Sequence, residues 1–171
     1  MHYQYPLETL ARRRSTTSQI DFAREASRTL ADSDELLFEP YEHGLAIFAA
    51  NEDVLEAPRR ILREIYGDFV EVRQPQVRYI PGEPPQEPLM SVRITVRAES
   101  LGRVLAELRS RSARIIEQCI RGRIVIVRAE APLADLLGLP ARLADITDGT
   151  ATHSIRLLRY VVVDRDPLPA A

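Results

Sequence analysis

The stretch Leu89-Met90-Ser91-Val92-Arg93-Ile94-Thr95-Val96-Arg97, followed directly by Ala98-Glu99-Ser100-Leu101-Gly102-Arg103-Val104-Leu105-Ala106-Glu107-Leu108, changes its apolar period midway. In the first part Met90, Val92, Ile94 and Val96 alternate with Ser91, Arg93, Thr95 and Arg97. Period two sends the two sets to opposite faces, so this predicts a strand with one buried face. After Glu99 the apolar positions are Leu101, Val104, Leu105 and Leu108. That is the i, i+3, i+4, i+7 stripe of an amphipathic helix, with Ser100 placed to cap it.

Downstream, residues 113–120 and 123–129 are rich in β-branched side chains and join through Arg121-Gly122, which predicts a hairpin. Pro132 opens a helical stretch with Leu133, Leu136 and Leu137. Gly138-Leu139-Pro140 breaks it, and Leu143 and Ile146 continue it. Residues 150–163 predict a final long strand. The order β-α-β-β-α-β is the split βαβ, or ferredoxin-like, arrangement. It covers one sheet face with two helices and leaves the other open to solvent or a partner.

Upstream, residues 81–88 read PGEPPQEP, with four prolines and a glycine. Such a run cannot continue a helix or a central strand, so it predicts a stiff, extended linker. Before it, Phe22, Ala26 and Leu30 form a helical stripe that Asp21 is placed to cap. Residues 36–38 and 45–50 predict short strands around the turn Tyr41-Glu42-His43-Gly44. Asn51 is placed to cap a helix carrying Leu55, Ile61, Leu62 and Ile65 and ending near Gly67; Pro58 either kinks it or marks its first turn. Val70, Val72, Val77 and Tyr79 supply a closing strand. In residues 1–20 the run Arg12-Arg13-Arg14, then Ser15-Thr16-Thr17-Ser18, predicts a basic, hydroxyl-rich arm, with room for a strand at residues 6–10. The expected fold is α+β: two tandem ferredoxin-like units, antiparallel sheets with helices on one face. The arm at 1–20 is followed by a unit at 21–80, the linker at 81–88, a unit at 89–165 and a tail at 166–171.

Composition excludes several function classes. The formal net charge is −2, so the whole molecule does not advertise nucleic acid. The charge is uneven: residues 1–82 carry 10 Arg against 14 Asp and Glu, and residues 83–171 carry 13 Arg against 11. Every strong cation is an arginine, since no lysine occurs. A P-loop of the form G-x-x-x-x-G-K-[ST] is absent, which excludes nucleotide hydrolysis at such a site, and no nucleotide or other cofactor is expected. His2, His43 and His153 stand far apart and share no metal-ligand spacing with Cys119, the single cysteine. Cys119 falls in a predicted strand, where a buried, inert thiol is expected. No Ser-His-Asp set follows from spacing, so no enzyme is expected. No apolar run reaches a membrane span and no signal-peptide core is present, which predicts a cytoplasmic protein.

The candidate functional surface is cationic. Arg93 and Arg97 share one side of a strand, and Arg109, Arg111, Arg114, Arg121 and Arg123, with Arg103, cluster in sequence around the first helix and the hairpin. Such a group can bind phosphate. The open sheet lacks the interleaved aromatics that stack bases, so recognition of RNA sequence is not expected.

Residues 87–162 resemble the C-terminal (fifth) domain of elongation factor G and related ribosomal GTPases. Glu87-Pro88-Leu89-Met90 is similar to that family's E-P-hydrophobic-M opening. Leu101-Gly102-Arg103-Val104 resembles its M/L-G-x-V, and Ala131-Pro132-Leu133-Ala134-Asp135-Leu136-Leu137-Gly138 its V-P-L-x-x-M-F-G. Leu143, Thr147, Gly149 and Ala151 fall at the spacing of its L-R-S-x-T-x-G-x-A segment, and Tyr160 where it ends on F-x-x-Y. More weakly, residues 21–80 resemble the third domain of the same factors. There Asn51 to Glu56 stand where the family carries G-E-L-H-L-E, and Pro75-Gln76-Val77-Arg78-Tyr79 matches P-Q-V-x-Y. The G domain and the tRNA-mimicking fourth domain have no counterpart in these residues.

Several family positions differ. The family's L-R-S arginine is Ala144, its serine is Asp145, and a further arginine is Thr150; the second Arg and the Gly of its S-R-R-G segment are Ser112 and Ala113. The resemblance implies a non-catalytic, translation-related protein that binds the ribosome through ribosomal RNA or a ribosomal protein, without a membrane or nucleotide. The lost cationic positions and the acidic first unit leave open a second class, a scaffold or regulatory module pairing with a protein partner or as a homodimer. A third reading is an effector-binding domain with a ligand between units.

Overall fold

The computed structural model of the chain describes residues 2–15 and 18–164. The expected C-terminal tail at 166–171, and Thr16 and Thr17 of the expected arm, lie outside the described residues. The chain separates into two compact units, Met1–Arg78 and Tyr79–Ala171.

In the first unit β1 (Leu7–Arg13), α1 (Gln19–Thr29), β2 (Leu36–Tyr41), β3 (Gly44–Ala49), α2 (Glu56–Tyr66) and β4 (Val70–Val72) follow in order. The strands are arranged β2-β3-β1-β4, and β5 (Gln76–Val77) adds to the far end of β1. This is the ferredoxin-like order. Residues 7–13 are therefore a central strand, three residues longer at its end than the strand for which residues 6–10 left room. Leu7, Thr9 and Ala11 are buried on one parity, a period-two signal that the arginine run at its end obscures. Two of the three arginines of that run touch the rest of the unit, Arg13 through its side chain and Arg14 through its backbone. The Arg13 guanidinium lies over the Tyr66 ring at 5.8 Å, and the Arg14 N–H donates to the Phe69 carbonyl at 2.6 Å.

Helix α1 starts two residues before Asp21, because the Ser18 hydroxyl accepts from the Asp21 N–H at 3.3 Å and is the cap. The Asn51 side chain accepts from the Val54 N–H and opens a single 3₁₀ turn, Asp53–Leu55, ahead of α2. Pro58 falls in the first turn of α2, where a missing N–H leaves no hydrogen bond unmade.

All six residues of β3 are buried. Leu45, Ile47 and Ala49 lie under the helices, while Ala46 and Phe48 face the other way and pack with Tyr5 and Leu37. The second face of this sheet is therefore covered by the residues preceding β1. Arg78 pins them: its guanidinium sits 4.6 Å from the Phe48 ring centre and 5.8 Å from that of Tyr3, and donates to the His2 and Tyr5 carbonyls at 2.7 and 3.0 Å.

The second unit repeats the plan with β6 (Gln86–Arg97), α3 (Leu101–Ser110), β7 (Arg114–Arg121), β8 (Ile124–Pro132), α4 (Leu133–Leu136), α5 (Leu139–Ile146) and β9 (Thr152–Val162). Its order is β7-β8-β6-β9, antiparallel throughout. Strand β6 takes in Gln86, Glu87 and Pro88, which the proline run was expected to exclude. Pro88 faces Tyr160 of β9, while the ladder to β8 begins only at Leu89. At that point β6 has a neighbour on one side only, so a residue without an N–H fits.

Ser100 is buried and makes no capping hydrogen bond to α3; a 3₁₀ turn, Ala98–Ser100, leads into the helix instead. Met90, Val92, Ile94 and Val96 meet Val104 and Leu108 in the core. Each fully buried aliphatic side chain of this kind contributes about 1.5–3 kcal/mol relative to exposure. The period-two strand and the helical stripe thus bury the faces their spacing assigns.

Candidate phosphate-binding face

The alternation that buries Met90, Val92, Ile94 and Val96 turns Ser91, Arg93, Thr95 and Arg97 to the side without helices. Register then fixes which neighbours share that side, because opposed residues in an antiparallel pair point the same way. Ser91 lies between Glu130 and Arg156, and Arg93 between Arg128 and Ser154. Thr95 lies between Ile126 and Thr152, and Arg97 faces Ile124. Across β8, the edge strand β7 places Arg114 beside Glu130, Glu117 beside Arg128, Cys119 beside Ile126 and Arg121 beside Ile124. Between Ser91 and Arg97 the face therefore carries six arginines against two glutamates and, among the described residues, no aromatic side chain.

Two of the six arginines are neutralised. Arg114 pairs with Glu130 at 2.7 Å and Arg128 with Glu117 at 3.3 Å. Arg93, Arg97, Arg121 and Arg156 are exposed and have no ion-pair partner among the described residues. Arg93 and Arg128 are directly opposed, a like-charge placement that costs up to about 1 kcal/mol in an antiparallel pair. A groove of about 560 Å³ opens between these side chains, lined in part by Ser91, Arg93, Cys119, Arg121, Arg128 and Arg156. Cys119 is half-exposed in this groove rather than buried, because its strand is the sheet edge and its parity is that of the uncovered face.

The other expected cations divide. Arg123 lies at the end of the sheet, next to Arg97. Arg109 is exposed on α3, in the helical layer behind the sheet. Arg111 also lies behind the sheet and is fully engaged. Its Nε donates to Glu107 at 2.7 Å, and its Nη1 to the carbonyls of Asp135 and Leu137 at 3.0 and 2.8 Å. Arg111 thus ties α3 to the α4–α5 junction. Arg156, Arg128, Thr152 and Ser154 were not among the expected candidates. The parity of β8 carries Arg128 and that of β9 the other three, but which side of the sheet each faces depends on pairing with β6.

Glu107 receives Arg142 as well, at 3.4 Å. Burial raises its pKa, but hydrogen bonds and charge from Arg111, then Arg142, outweigh burial and hold its carboxyl below the ordinary value. A carboxylate held low in the folded state contributes stability above its unfolded-state pKa, and loses it as pH falls through the lowered folded value. The Glu107→Gln variant is therefore expected to be less stable at neutral pH. It should also lose less further stability than the parent on acidification through and below the ordinary carboxylate range, measured by urea unfolding at each pH. Parallel acid profiles would refute this.

Among the described residues, no group of three or more His, Cys, Asp and Glu side chains is placed to hold a metal ion, and no helix is long and apolar enough to cross a membrane.

Comparison with known proteins bears on the same half of the chain. Residues 85–170 match a family model described as elongation factor G C-terminus, somewhat beyond the expected 87–162 at both ends. The chain is similar to an elongation factor G-like protein of Thermotoga maritima, 37% identical over 78 residues, which are 45% of this chain. It is similar also to elongation factor G 2 of Streptomyces coelicolor, 38% identical over 74 residues, which are 43% of this chain. The match spans only 11% of the length of each of these curated relatives. A crystal structure of a Thermus thermophilus protein overlays 92% of this chain and 40% of its own, with TM-score 0.68 at 17% identity, a likeness of fold alone.

Proposed function

Because the chain belongs to the elongation factor G C-terminus family, we propose that it is a non-catalytic, translation-related protein whose second unit binds the ribosome through its arginine face. The observation that carries this reading is the set of four exposed guanidiniums, Arg93, Arg97, Arg121 and Arg156, without carboxylate partners among the described residues on an uncovered sheet. Unpaired arginines grouped on one face supply the sequence-independent part of affinity for a phosphate-rich surface. The family arginine lost at Ala144 lies on α5, behind the sheet, whereas the one lost at Thr150 falls at the end of this face, beside Arg97 and Arg123, which still supply charge there.

The first unit we assign as the third-domain-like partner of the second, on its ferredoxin-like strand order and on the P-Q-V-x-Y match at residues 75–79. The GTPase chemistry of whole elongation factors is not carried over, since the chain spans a small part of them and has no lysine for a P-loop. A ribosomal partner places the protein in the cytoplasm.

Cosedimentation with ribosomes across a salt series tests the reading. The protein is expected to pellet with ribosomes at low salt and to be released as salt rises. The Arg93→Ala/Arg121→Ala/Arg156→Ala variant should lose at least about tenfold in affinity, while Arg109→Ala behaves as the parent. No binding at low salt, or equal binding by the triple variant, would overturn it.

A further inference from the structure

Taking this face as the ribosome-facing surface, we infer that it receives the sugar–phosphate backbone of an RNA strand, without regard to base sequence, along one continuous trough parallel to β6. Three depressions in the second unit share walls. The groove of about 560 Å³ shares Arg93 and Ser154 with a smaller one of about 210 Å³. That one shares Thr95 and Thr152 with a third, of about 390 Å³, at the end of the sheet, where Arg97, Arg123 and Thr150 stand. The trough therefore runs from Arg156 beside Ser91 to Arg97 and Arg123. Six residues along β6 correspond to about 20 Å. That is the axial rise of about six stacked nucleotides at 3.4 Å each.

Its lining matches a phosphodiester strand better than a protein surface. Guanidiniums recur along its length, and the positions between them on β6 and β9 are hydroxyl side chains, Ser91, Thr95, Thr152 and Ser154, suited to phosphate and ribose oxygens. Glu117 and Glu130 of the face are already held by Arg128 and Arg114, and Glu99 stands at one end of the trough, where Arg97 and Arg123 outnumber it. Arg93 and Arg128 are directly opposed, so a phosphate lying between them meets a guanidinium on each side, Arg128 keeping Glu117 as well. Protein interfaces, by contrast, are anchored by buried aromatic and apolar side chains, and here the aliphatic lining is Ile124, Ile126 and the largely buried Val96. With no Phe, Tyr or Trp in its lining the trough lacks the ring platform on which bases are splayed and read, so sequence is not read.

Fluorescence anisotropy of the full chain with labelled 12-mers of U and of C, and with a labelled glutamate 12-mer, tests this. The two RNAs are expected to bind within about threefold of each other. Five arginines in the trough predict a slope of log K against log salt near −3.5, since each phosphate contact to single-stranded nucleic acid contributes about −0.7. Arg93→Ala/Arg121→Ala/Arg156→Ala should weaken the slope by about 2 and lower affinity about 100-fold at low salt. The corresponding triple lysine variant should retain most of both, which separates lost charge from lost folding, and Arg109→Ala should change neither. A tenfold preference for one RNA, or glutamate peptide binding as tight as RNA, would overturn the inference. If ribosomes cosediment while neither RNA binds, the face touches protein and the ribosome reading survives without the backbone assignment. If both RNAs bind as stated and ribosomes do not, the trough stands and the ribosome reading falls.

Discussion

Replacing Gly44 by alanine is expected to unfold the first unit or to cost it at least about 3 kcal/mol, the largest effect of any single methyl group added to this chain. The chain reverses between β2 and β3 over Glu42 and His43, with Tyr41 paired to Gly44. Gly44 completes the reversal at φ +143°, a conformation that side chains with a Cβ rarely adopt. Space forbids the change as well. A Cβ there would lie 2.5 Å from the Ala11 backbone carbonyl oxygen, and 3.1 Å from Arg12 Cγ and Leu10 Cδ1. The carbonyl belongs to β1, the central strand, which pairs Ala11 with Leu45 and Val72, so it cannot yield without breaking the sheet.

Gly67→Ala supplies the contrast. Its φ is +57° and its ψ −134°, a conformation that also favours glycine, but nothing lies within 4 Å of the added carbon, so only a backbone penalty of about 1–3 kcal/mol applies. The sequence has no Trp and six Tyr, of which Tyr3, Tyr5, Tyr41 and Tyr66 lie in the first unit, so tyrosine fluorescence during urea unfolding reports mainly on that unit. Equal midpoints for Gly44→Ala and Gly67→Ala would sink the prediction.

Arg111→Ala is expected to cost the second unit about 2–3 kcal/mol, in the range for breaking a largely buried, hydrogen-bonded ion pair with some solvent access. The side chains of Arg111 and Glu107 are 19% and 15% exposed, so little water is available to replace what is lost. Removing the guanidinium leaves Glu107 with Arg142 alone and frees the carbonyls of Asp135 and Leu137, where the chain turns at Gly138 between α4 and α5. For a domain of this size the melting midpoint should fall by about 10 °C or more. Arg111→Lys should recover less than half, because an ammonium cannot reach the carboxylate and both carbonyls as a planar fork does. RNA affinity per folded molecule should be unchanged in both variants. A drop in affinity like that expected for Arg93→Ala would return Arg111 to the anion-binding set, and a cost below about 1 kcal/mol would refute the tie between the helices.

Much of the fold was legible because it follows from spacing. Met90 to Val96 at period two, and Leu101 to Leu108 at the helical period, each assign a buried face using neighbours a few residues apart. Both units read as ferredoxin-like for the same reason. The errors fall where a short-range signal met a competing one. The arginine run at residues 12–14 disguised the end of β1, and the proline run disguised the start of β6. Ser100 has the right type and place for a cap, yet its side chain was drawn into the interior. The candidate site was legible only in part. Arg93 and Arg97 could be named from strand parity, but Arg109, Arg111 and Arg121 were grouped with them by nearness in sequence, and Arg156 was not named.

By itself the sequence determined that the second half of the chain is a strand–helix–hairpin–helix–strand unit, that Arg93 and Arg97 share the uncovered side of its first strand, and that its motifs resemble the elongation factor G C-terminus. Only the tertiary structure decided which arginines meet. It placed Arg156 across from Ser91, sent Arg111 behind the sheet to join two helices, and left four guanidiniums of one face without carboxylates among the described residues. Alternation along a strand is a local consequence of backbone geometry, whereas the neighbours of a side chain across a sheet are set by strand order and register, which depend on contacts between residues far apart in the chain.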